Sequence, residues 1–247
     1  MAIKLPSSYD GMTFETTIGL DTITAAMATD KNDLVTAESG NNINTLSSGD
    51  RVDLGDGDLD TLSIATTGGN NLLAGGGKVD NTEVLEVTNY SNSLKVIADQ
   101  FSGFDTYWLN FTFGGTTDFL NVADDIDVAV HGKDPQGGDS VNNFYFTPEA
   151  YAGSNDTMEV ELKNADTELY VESDGGVEQI KVFSKGSNEN YLDINYVEGL
   201  QTLKIANTST DTDIDVENPS DGLKKVVTNK NATGDMDVEA YVDDYGS

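Results

Sequence analysis

The chain reads as an all-β parallel β-solenoid, built from coils of about 22 residues with two short strands each. Three features of the sequence predict this class. Apolar residues recur in pairs separated by one polar residue, at a spacing of eleven. Each pair is followed by Gly, Asn, Ser, Asp and Thr, the residues that make turns. Every second unit adds one more apolar residue in its turn, so the full repeat is two units long.

The pattern is clearest from Met158 onward, where eight consecutive blocks follow one another, seven of eleven residues and one of twelve. Their third position is Val160, Val171, Val182, Ile194, Ile205, Val216, Val227 and Val238, always β-branched and aliphatic. Their first position is Met158, Leu169, Ile180, Leu192, Leu203, Ile214, Lys225 and Met236, apolar except for the lysine. Apolar–polar–apolar alternation is a strand pattern, whereas a helix needs partners three and four apart. The blocks beginning at Leu169, Leu192, Ile214 and Met236 carry the extra turn residues: Val177, Val197 with Leu200, Leu223, and Val242. One such coil cannot bury its own apolar side, but coils stacked at about 4.8 Å bury a continuous ladder. On this reading Val160, Val182, Ile205 and Val227 line up.

The first half repeats the unit less regularly, in Val52/Leu54, Leu62/Ile64, Leu85/Val87, Leu94/Val96, Leu109/Phe111 and Leu120/Val122. Four segments follow. Residues 1–30 do not fit the repeat and are expected to form a cap or assembly segment, with ITAAMA (23–28) as a turn or short helix. Residues 31–130 form the irregular part of the solenoid, and 131–157 hold a loop insertion around HGKDPQGGDSVNNFYF (131–146). Residues 158–247 form the regular part with a C-terminal cap. Caps are expected because an open solenoid end is an exposed sheet edge.

The formal net charge of −31, from 44 acids and 13 bases, repels a phosphate backbone, so no nucleic acid partner is expected. It suits surroundings in which cations screen or bridge carboxylates. The absence of cysteine removes disulfides and thiolate chemistry. No apolar run is long enough to span a membrane, so no membrane insertion is expected. The start, MAIKLPSSYDGMTF, lacks the basic and apolar regions of a secretory signal; if the protein is exported, either the route does not cleave an N-terminal peptide or a leader has already been removed.

The segments TTIGLDTITAAMATDKNDLVTA (16–37), NTLSSGDRVDLGDGDLDTLSI (44–64) and NTEVLEVTN (81–89) carry a "GDxxDxGxGxDTLxI"-type stretch followed by an apolar–Glu–x–apolar–x–apolar element. That element recurs in FDTYWLNF (104–111), VEQIKV (177–182) and VEGLQTLKI (197–205). These segments resemble repeat regions of bacterial S-layer proteins and of large adhesins exported by type I secretion; similar patterns occur in virion proteins of marine phages. The resemblance implies an extracellular structural β-solenoid whose assembly depends on calcium.

Two sets of carboxylates are candidate calcium ligands. Asp53, Asp56, Asp58 and Asp60 lie within eight residues around two glycines, where several oxygens can converge on a hard cation. Asp193, Asp215 and Asp237 occupy one outward strand position at intervals of 22, and are expected to stack as a carboxylate ladder. The opposite strand reads Glu159, Lys181, Lys204 at that position, so the two faces are expected to differ in charge and to orient packing between copies. Catalysis is not expected: the single His131 has no partners that make a triad. The expected function is a self-assembling extracellular surface protein, a layer, sheath or matrix-filament subunit. Its expected partners are further copies of itself, together with cell-surface polysaccharide or a capsid. The alternatives are a virion decoration or fibre protein and a polysaccharide-active β-helix enzyme.

Overall fold

The computed structural model describes residues 3–40, 43–68, 72–74, 77–91, 93–101, 103–112, 115–123, 126–132, 141–151, 153, 156–171, 176–186, 189–207, 214–217, 222–228 and 236–239, with backbone alone for Ala74, Asn207 and 236–239. It is a parallel β-solenoid. The first sheet stacks β1 (Thr13–Glu15), β3 (Leu34–Gly40), β6 (Thr61–Thr67), β9 (Val84–Asn89), β11 (Thr106–Thr112), β13 (Asp127–His131), β15 (Thr157–Lys163), β17 (Gln179–Lys185), β19 (Thr202–Asn207) and β21 (Lys225–Thr228). The second stacks β7 (Leu72–Ala74), β10 (Ser93–Ile97), β12 (Thr116–Val122), β14 (Val141–Phe146), β16 (Asp166–Val171), β18 (Asn190–Val197), β20 (Ile214–Glu217) and β22 (Met236–Glu239). At the N-terminal end a third side is made by β2 (Thr22–Ile23), β5 (Arg51–Asp53) and β8 (Lys78–Asp80), while β4 (Ile43–Asn44) folds back antiparallel on β3. Only the third coil, β6, β7 and β8, thus has a strand in each of the three sheets; the first two pair a strand of the first sheet with one of the third. From β9 onward each coil has the two strands the periodicity predicts.

The core is the predicted aliphatic ladder. Val160, Val182 and Ile205 are register partners and are essentially buried. Met158, Ile180 and Leu203 form a second inward row beside them. Aromatic rungs extend the core where the coil is wider: Phe119 stacks on Phe144 with ring centroids 4.6 Å apart, and on Tyr107 at 5.8 Å. The extra turn residues Val177 and Leu200 are buried as expected. Gly176 permits this turn, because its φ is +71° and an added Cβ would lie 2.0 Å from the Glu198 carbonyl oxygen of the next coil.

Several expectations are corrected. Val227 does not continue the row of Ile205; Thr228 does, and Val226 stands over Leu203 while Val227 pairs with Lys204. A slip of one residue turns Lys225 outward, which avoids burying an unpaired charge. The alternation in the first half is interrupted by bulges at Leu109/Phe111 and Leu120/Val122, so Leu109 and Val122 point inward while Phe111 and Leu120 are partly exposed. Within the expected loop at 131–157, Val141–Phe146 is strand β14 with Phe144 fully buried; residues 133–140 lie outside the described residues. ITAAMA forms β2 and a turn closed by Met27 N–H donating to the Thr24 carbonyl. Val238 pairs with Val216 as predicted, whereas Val242 and most of 239–247 lie outside the described residues.

Residues 3–10 run across the outside of the first sheet. Leu5 packs on Val84, Trp108 and Ala129, which face outward from β9, β11 and β13 and are nonetheless buried. Ile3 and Pro6 are buried as well, and the Tyr9 hydroxyl donates to Glu86 Oε2 at 3.3 Å. Further along, Asp33 Oδ1 accepts Met12 N–H. This strap accounts for an apolar patch on a face that the strand pattern marks as solvent-exposed.

Candidate functional site

A row of acids follows the corner that leads into the first sheet. Asp60 Oδ1 accepts Asp33 N–H at 2.7 Å, Glu83 Oε2 accepts Asp60 N–H at 2.9 Å, and Glu178 Oε2 accepts Asp156 N–H at 2.8 Å. Each carboxylate satisfies a corner amide of the coil before it, a group the ladder leaves without a partner. Asp33 does the same locally, accepting from Thr29 N–H at 2.7 Å and Thr29 Oγ1 at 3.0 Å. Glu83 and Glu178, acids of the repeated element, are therefore structural caps between coils, as is Asp60. Leu200-Gln201 and Leu223-Lys224 continue the same corner: Thr202 N–H donates to the Glu178 carbonyl, and Lys225 N–H to that of Gln201.

Beside this corner lies a cleft of about 300 Å3 lined by Lys4, Asp58, Glu83, Asp105, Asp127 and Glu159. Burial, then the charges of Glu159 and Asp105, push Asp127 up to about 6, against the opposing pull of the Glu159 amide and Lys181. Burial also raises Glu83, with Asp60 and Asp105 adding to it. Asp60 is pushed up to about 6, first by burial and then by the charges of Asp33 and Asp58.

Of the predicted ligands, Asp215 and Asp237 are register partners, and the others are placed apart from them. Asp53 Oδ1 accepts from Gly55 N–H at 3.2 Å and Asn81 Nδ2 at 2.8 Å; Asp56 and Asp58 are exposed, and Asp60 is buried in its capping bond. Among the described residues, no group of three or more His, Asp or Glu is placed to hold a metal ion. The ladder of Asp193, Asp215 and Asp237 is also revised. Asp215 pairs with Asp237, but Asp193 pairs with Glu217 and Asp215 with Tyr191. A slip of two residues preserves which side chains face inward, so alternation alone does not choose between the registers. The outward row that results is Lys95, Asp118, Asn143, Glu168, Asp193, Glu217.

A tyrosine row flanks it. Tyr145 stacks on Tyr170 with ring centroids 4.3 Å apart, and Tyr170 on Tyr196 at 4.8 Å. The ring faces cover one another, so the face presents ring edges and hydroxyls; Tyr170 donates to Glu168 Oε2. Leu120 and Ile97 extend the row through β12 and β10.

The first sheet has a different outer face. Glu159, Lys181 and Lys204 stack as predicted, with Lys181 Nζ 2.8 Å from Glu159 Oε1. Two positions along, Glu161 is 2% exposed and is held between His131 Nε2 at 3.0 Å and Lys185 Nζ at 2.7 Å. Burial raises this carboxyl, but the hydrogen bonds and charges of His131 and Lys185 together outweigh it and hold Glu161 below the usual range. The His131 ring meets Trp108 edge-on at 5.3 Å. His131 thus serves a packed ion-pair network. Its link to Glu161 is not apparent from the sequence, where the two lie thirty residues apart. Among the described residues no helix is long and apolar enough to cross a membrane. Comparison with family models, curated proteins and solved structures gives no match.

Proposed function

We propose that this chain is a structural, self-assembling surface protein, a subunit of an extracellular layer, sheath or filament whose assembly is assisted by calcium. The supporting observation is the uninterrupted stack of coils, which makes a stiff body whose outer rows repeat at the strand spacing of about 4.8 Å. Repetition of this kind gives many equivalent lateral contacts, and contacts that do not close generate open arrays. Calcium acts in this reading by bridging carboxylates that line up along the surface of one copy, which lowers the repulsion between copies.

Negative-stain microscopy in millimolar calcium, followed by chelation, tests the proposal. Sheets or threads that disperse on chelation are expected. Single particles under both conditions contradict self-assembly, and arrays indifferent to chelation contradict the role of calcium.

A further inference from the structure

The two sheets of the later coils carry opposite charge. From β15 onward the strands of the first sheet, β15, β17, β19 and β21, contain five lysines (Lys163, Lys181, Lys185, Lys204 and Lys225) and two glutamates (Glu159 and Glu161). Over the same coils β16, β18, β20 and β22 contain seven carboxylates and no base. With Lys224 at the corner, this one face holds six of the thirteen bases of a chain with net charge −31. Both glutamates are neutralised within the face by Lys181 and Lys185. Among the described residues Lys163, Lys204 and Lys225 form no ion pair, so the face keeps a net positive charge. The acidic face is the row Glu168, Asp193, Glu217 with Asp166 and Asp215 alongside.

We infer that the lysine face of the first sheet docks on the acidic face of the second sheet of another copy, so that the solenoids pack side by side in a row. This rests on the self-assembly reading and specifies its contact surface. Both faces are formed by the same coils, so their charges recur at the same rise and match along several rungs at once. On a chain this acidic most encounters between copies are repulsive, and this pairing of faces is the attractive one. The two surfaces are different patches of one molecule, so the contact is heterologous and propagates. Calcium-bridged contact between two acidic faces is the competing arrangement, and the experiment separates the two.

The net charge of the lysine face is removed in a Lys163→Glu/Lys204→Glu variant, which disturbs no ion pair of the described residues. The acidic face loses more than half of its net charge in an Asp193→Lys/Glu217→Lys variant, whose fold is checked by circular dichroism. Sedimentation and negative stain are read at about 20 mM and 500 mM salt, since screening shortens to a few ångströms at high ionic strength. Wild-type protein is expected to form laterally packed arrays at low salt that disperse at high salt. Each variant alone is expected to remain as separate rods, with a tenfold or greater loss of the assembled fraction. An equimolar mixture of the two is expected to form pairs but no arrays, because only the intact acidic face of the first variant and the intact lysine face of the second complement each other. Variants that assemble like a wild type that itself assembles overturn the docking of these faces and leave self-assembly standing. A wild type that never assembles overturns both.

Discussion

At the scale of single residues, the inward row sets stability and the corner carboxylates set its dependence on pH. Phe119 is fully buried between Tyr107 and Phe144. Phe119→Ala is expected to cost about 3–5 kcal/mol, measured by urea unfolding; a cost under about 1 kcal/mol contradicts this packing. Asp127 and Asp60, each raised to about 6, have the opposite sign from a salt-bridged acid. Their folded forms hold protons more tightly than an unfolded chain with an ordinary value near 4. The stability they contribute is complete below about 4 and is lost as pH rises through about 6. Glu161, held low, works the other way and loses its contribution as pH falls through its folded value. An Asp127→Asn variant keeps an oxygen for the Glu159 amide and removes the buried charge. It is expected to melt higher than wild type at pH 7, with a smaller dependence between pH 4 and 6. An unchanged profile contradicts the raised value.

At the scale of elements, alternation made the strands legible in the sequence but did not fix their register. Val160, Val182 and Ile205 were readable because a period of 22 or 23 residues brings equivalent β-branched residues together. The last rung is not, because KVV offers two phases, and seating Val226 in place of Lys225 over Leu203 decides between them. The register of Asp193 against β20 is illegible for the related reason that a shift of two leaves the pattern intact. The strap of residues 3–10 was illegible, since nothing periodic links Leu5 to Val84, Trp108 and Ala129; outward apolar residues on three successive rungs were the available signal. The chain has one tryptophan, which makes the strap easy to test. Leu5→Asp is expected to shift Trp108 fluorescence to longer wavelength, increase its quenching by acrylamide and cost about 1–3 kcal/mol. Unchanged emission contradicts the seating of the strap.

For the whole molecule, the solenoid is a device for converting sequence period into surface rows. Stacking puts Lys204 next to Lys181, and Asp193 next to Glu217, although they are far apart in sequence. The difference between the faces was legible for Glu159, Lys181 and Lys204, whose spacing follows the repeat. The acidic row was legible in kind but not in membership, and the separation of the Asp53 cluster among turn caps depends on backbone amides that no sequence pattern displays. All of these surfaces depend on coils stacked in this order, and the lack of cysteine allows a direct distance test. Lys95 and Glu217 lie five rungs apart in one outward row, so their Cα atoms are expected about 24 Å apart at about 4.8 Å per rung. Spin labels on a Lys95→Cys/Glu217→Cys variant, read by pulsed dipolar spectroscopy, should give a narrow distribution centred near that separation. A distribution centred beyond about 35 Å, or one with no preferred distance, contradicts the stacked-coil account.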